Sequence, residues 1–147
     1  MADENIALMA HLLRRSGFGA SRDEIEAKAT LGYQQTLDDL LAPESQENIE
    51  EDLLFRYNPS YWQSAAIENN VQAWLYTMIN TPRQLQEKMA LFWHMIFCAG
   101  HSKIDSGYEM GRMISMFREH GMGNFRDLIY RLSDRKSTRL NSSHVLI

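Results

Sequence analysis

Cysteine is nearly absent from the sequence: Cys98 stands alone in 147 residues. One thiol excludes an internal disulfide and any zinc site built on a Cys-x-x-Cys pair. A surplus of basic residues is missing as well, with 15 Lys and Arg against 19 Asp and Glu and a formal charge of -4. Phosphate backbones are bound by clustered cations, so this balance excludes nucleic acid as the main partner. No apolar run is long enough for a bilayer: Met89 to Ala99 is about half of the ~20 residues a span requires, and it contains His94. The start, Met1-Ala2-Asp3-Glu4, is acidic where a secretion signal is basic. A cytoplasmic protein with no membrane partner is therefore expected. No run of alternating β-branched residues longer than about four occurs, and no solenoid-type repeat, so no strand is predicted.

What the chain does have is apolar residues, 44% of the total, at helical spacing. Leu8, Met9, Leu12 and Leu13 mark a first helix that Arg14 and Arg15 close and Gly17 stops. Ser21 and Glu24 form the pattern of a capping box for a second, running to about Thr30. Tyr33 to Leu41 is a third, ended by Pro43. The acidic stretch from Ala42 to about Tyr61, with a short apolar anchor at Leu53, Leu54 and Phe55, reads as a solvated loop. Ile67, Val71, Trp74, Leu75 and Met78 form the stripe of a fourth helix ending near Asn80. Thr81 as cap, Pro82 in the first turn and Gln84 as the reciprocal partner start a fifth, Pro82 to about Ala99. Its second half is apolar nearly all round, which predicts a place at the centre of a bundle. Tyr108 to His120 and a helix capped by Asn124 complete the count. The fold expected is all-α, an irregular bundle of about seven short helices.

Three residues suggest chemistry. His94, Cys98 and His101 are spaced four and seven apart, so they share a helix face, and their donor atoms suit zinc or another borderline metal. They are the candidate metal ligands. The alternative, which the sequence favours, is that His94 packs in the core, Cys98 serves as a small apolar residue and His101 lies past the helix end at Gly100. A Cys98 nucleophile has nothing beside it in the sequence to lower its pKa. The carboxylates Asp38, Asp39, Glu50, Glu51 and Asp52 read as a solvated face, without the spacing of a calcium loop. Gly121-Met122-Gly123-Asn124 lacks the preceding strand and third glycine of a phosphate cradle, and reads as a turn between helices. Met110, Met113 and Met116, at helical spacing, read as core filler. No cofactor is called, and no catalytic residue is assigned.

Five blocks carry a resemblance: His11-Leu12-Leu13-Arg14-Arg15-Ser16-Gly17-Phe18-Gly19, Leu31-Gly32-Tyr33, Lys88 to His94 with Phe97, Phe117-Arg118, and Gly123-Asn124-Phe125-Arg126-Asp127-Leu128. In this order they resemble the N-terminal region of the bacterial domain-of-unknown-function 1800 family, over Met1 to about Ser133. The resemblance implies a longer parent chain of several hundred residues, with helices that follow the region matched here. It implies no established activity. Some members are exported and are encoded beside a sulfatase-like family. Members often carry a second His two positions after the residue matching His94, and this chain has Ile96 there, a departure that weakens the metal reading.

The segment Asp134 to His144 looks like the translation of a short-read sequencing adapter, with all eleven codons in agreement. Residues 134–147 are accordingly expected to be a non-native, disordered tail, and 1–133 an incomplete domain. Setting the tail aside removes three basic residues and one acidic one, which leaves 12 against 18 and a charge of -6. Two functions follow as expectations. One is a structural and interaction region that docks its own downstream helices or a protein partner, with Trp74, Phe92, Trp93 and Phe117 as packing anchors. The other is part of an enzyme or metal-binding protein whose site includes His94 and downstream residues. Apolar helices without those partners would expose a patch larger than the few hundred Å² usual for monomers.

Overall fold

The structure is a computed structural model that describes residues 2–57, 67–97 and 107–133. Its regular elements among these residues are all helical: α1 (Ala2–Ser16), α2 (Arg22–Leu31), α3 (Tyr33–Leu41), a 3₁₀ turn (Pro43–Ser45), α4 (Glu51–Tyr57), α5 (Ile67–Asn80), α6 (Gln84–Ile96), α7 (Gly107–His120) and α8 (Phe125–Ser133). The all-α expectation holds.

Local chemistry sets most of the boundaries. In the box that opens α2, the Glu24 N-H donates to Ser21 Oγ (3.3 Å) and the Ser21 N-H to Glu24 Oε2 (2.6 Å). Those bonds from Ser21 hold the Glu24 carboxyl below its usual range. Gly32, with φ +101°, ends α2 and begins α3 in a backbone conformation that costs only glycine little. At the other end of the chain Asn124 caps α8, its Oδ1 accepting the Arg126 N-H at 2.9 Å.

The core is gathered around α7. Met110, Met113, Met116 and Phe117 are buried there, against Ala90 of α6 and Leu128 and Leu132 of α8. The three methionines thus fill the core as their spacing predicts. A second layer, α1 to α3, is tied to the start of α6 by polar contacts. Lys88 Nζ donates to the carbonyls of Arg14 (2.8 Å) and Gly17 (2.6 Å), at the open C-terminus of α1. Arg83 donates from Nε (3.0 Å) and Nη2 (2.6 Å) to the Gln46 carbonyl.

Three sequence expectations are corrected. Residues 51–57, expected to be loop, form the helix α4, one of eight α-helices among the described residues. A run of acidic residues suggests a solvated loop, but at a helix start such residues suit the positive end of the dipole, and Tyr57 at the end of α4 lies 5.6 Å from the Tyr76 ring of α5. The box at Thr81 does not form. Thr81 Oγ1 accepts from Arg83 (3.1 Å), and Gln84 Nε2 turns backwards to the carbonyls of Met78 (3.1 Å) and Thr81 (2.7 Å). It closes the end of α5 instead of opening α6, while its Oε1 accepts the Phe18 N-H. Lastly, α6 is not wrapped on all sides: Met95 is 67% exposed and Ile96 52%.

Candidate functional site

The inward face of α6 carries the buried Glu87 and Ala90 and the half-buried His94, three and seven residues on from Glu87. Glu87 is 1% exposed. A carboxylate is stable at that depth only when its charge and lone pairs are met, and here both are. Arg118 of α7 reaches it with both arms of its fork, Nε to Oε1 and Nη2 to Oε2 (3.1 Å). Trp74 of α5 donates its indole N-H to Oε2 at 3.0 Å. One carboxylate therefore joins three helices.

His94 sits one face of Trp74 away, its ring edge-on to the indole at 5.2 Å and 90°. Its Nδ1 is buried and has no hydrogen-bond partner among the described residues. Burial pushes its pKa below the ordinary 6.5, so the imidazole is held neutral. A neutral imidazole with an unsatisfied nitrogen has the chemistry of a proton acceptor or metal ligand. The other two candidate ligands, Cys98 and His101, lie outside the described residues. Among the described residues no group of three or more His, Cys, Asp and Glu could hold a metal ion.

Of the carboxylates singled out from sequence, Asp38 and Asp39 accept hydrogen bonds from Gln34 and Gln35, each at 2.9 Å, on the outside of α3. They are not brought together with His94. The Gly121 to Asn124 segment is the turn between α7 and α8, as its sequence suggests. Sequence reasoning missed the Glu87–Arg118 pair. A signal was present: Glu87 stands in register with Ala90, so a charge occupies the stripe that a core helix keeps apolar.

A second feature is a surface. On α6, Phe92, Met95 and Ile96 face outward; on α8, Phe125 and Tyr130 do so. Trp93 links the two helices. Its indole N-H donates to the Gly121 carbonyl (2.7 Å), and its ring lies 5.0 Å from Phe92 and 5.6 Å from Phe125. Beside them Phe125, Arg126, Ile129 and Tyr130 line an open hollow of about 490 Å³. Phe92, expected as a packing anchor, is one of the exposed side chains, whereas Phe117 is fully buried. No helix among the described residues is long and apolar enough to cross a membrane.

A family model described as "Protein of unknown function (DUF1800)" matches residues 11–136. No curated protein and no solved structure matches the chain. The residues that carried the resemblance are those that join the elements: Lys88 fastens α6 to α1, Trp93 fastens it to the turn before α8, and Arg118 pairs with Glu87.

Proposed function

The chain belongs to the DUF1800 family of proteins of unknown function, and on that premise we propose that its region here is an interaction body whose α6–α8 face docks a further amphipathic helix. One observation carries the reading. Ala90 of α6 is wholly buried, while Phe92, Met95 and Ile96, within two turns of it, are about half exposed or more. Contiguous apolar surface of this kind, rimmed here by Arg126, marks an interaction site in soluble proteins. The occupant proposed is a helix from the downstream part of the longer family chains. The test is co-purification of this chain with the downstream half of a full-length relative, expressed separately. A complex that forms with the wild type and is lost in Met95→Glu is the expected result. A complex that survives Met95→Glu and Phe125→Glu together overturns the reading.

A second reading rests on His94 alone: a buried Nδ1 without a partner fits a metal or enzyme site completed by residues elsewhere in the parent chain. Metal measured by elemental analysis in a full-length relative, and lost on replacement of the residue matching His94 by Ala while the fold persists, supports it. Unchanged metal content with lower stability assigns His94 to the core.

A further inference from the structure

A cleft of about 730 Å³ lies between the α1–α3 layer and the turn joining α5 to α6. None of its lining residues belongs to the apolar α6–α8 face. Its apolar lining comes from Leu13, Phe18, Leu31, Leu40 and Ile79. Two of these are well open to solvent, Leu31 at 60% and Ile79 at 76%. A volume of this order accommodates a few large side chains or a small ligand.

Charge distinguishes among occupants. The charged side chains lining the cleft are Glu24, Asp39 and Lys28. Asp39, Leu40 and Gln46 line it, and the segment to which they belong, from Asp38 to Asp52, has seven carboxylates and no Lys or Arg. Among the described residues the partners of Asp38 and Asp39 are neutral glutamine amides, and no cation pairs with Glu44 or Glu47. The cations at hand are Lys28, on the α2 wall, Lys88, committed to the carbonyls of Arg14 and Gly17, and Arg83, committed to the Gln46 carbonyl. An apolar floor beside a predominantly acidic border on the α3 side complements a segment that alternates large apolar side chains with Lys or Arg.

We propose that this cleft is a docking groove for a basic amphipathic protein segment, with Leu31, Leu40 and Ile79 receiving its apolar side chains and the Asp38–Glu47 border its cations. The helix-in-groove mode supplies the geometry: anchors at i, i+3 or i+4 enter the groove, and cations flank it. Long-range attraction across an exposed border is screened by salt, so binding weakens as ionic strength rises.

The experiment is fluorescence anisotropy of a labelled helical peptide of Leu and Lys in amphipathic register, titrated with the full 147-residue chain. An otherwise identical peptide with Glu in place of Lys is the control. Saturable binding of the Lys peptide is expected, weakened at least fivefold by Ile79→Gln, at least fivefold by Asp39→Asn with Glu47→Gln, and unchanged by Met95→Gln on the other face. Ile79, Asp39 and Glu47 are at or near the surface, and thermal unfolding of each variant verifies that the fold persists. The proposal is overturned if the Glu peptide binds as well. It is equally overturned if charge removal weakens binding but Ile79→Gln does not, which would place the peptide on the acidic surface and outside the cleft, or if Met95→Gln is the variant that releases it.

Discussion

Glu87 ties α5, α6 and α7 together through one buried carboxylate. It is buried beneath a guanidinium and an indole. Removing one partner strands a charge where water does not reach, and breaking such pairs costs about 3–5 kcal/mol. Arg118→Ala is therefore expected to lower the midpoint of thermal unfolding sharply, whereas Arg112→Ala, an exposed side chain at 3.7 Å from the partly buried Glu109, changes it less. His94 adds a pH dependence. Its pKa is lowered in the folded protein by burial, so as pH falls through 6.5 the unfolded chain takes up a proton that the folded chain does not. Stability therefore declines below about pH 6.5 until the lowered folded pKa is reached. Urea denaturation between pH 8 and pH 5.5 is expected to show that decline in the wild type and a flatter profile in His94→Gln. The pair and the histidine differ in how legible they were. His94 was identified by residue type, but Glu87 in a sequence looks like any surface carboxylate, and the arginine that makes its burial tolerable is 31 residues away.

Elements were read well wherever a short-range bond defines them. The Ser21 box, the break at Gly32 and the Asn124 cap each depend on residues within four positions of one another. Ser21→Ala is expected to cost about 0.5–2 kcal/mol, seen as a lower unfolding midpoint with the helical content of α1 and α5 to α8 retained. The failures involve longer range. Gln84 had the right spacing from Thr81 for a box, but tertiary contacts compete for its side chain: the carbonyls ending α5 and the Phe18 amide take it instead. In α4 a dense run of carboxylates concealed a helix start. In α6, apolar residues on both sides predicted a central position that belongs to α7, whose methionines and Phe117 occupy the core while Phe92, Met95 and Ile96 remain outside.

At the scale of the whole molecule, the two layers are joined mainly through the start of α6, and the end of α6 together with α8 presents the apolar face. Composition made the helical class legible and the excess of apolar helix surface with it. It could not locate that surface, because location depends on which helices pack around α7. In the proposed role, the α6–α8 face is covered by a further helix of a longer parent chain. Hydrogen–deuterium exchange by mass spectrometry, on a full-length member and on the same member truncated after the residue matching Ser133, tests it most directly. Amides of the segments matching α6 and α8 are predicted to be markedly more protected in the full-length protein, with those matching α2 and α3 unchanged. Equal protection of α6 and α8 in the two proteins would contradict it.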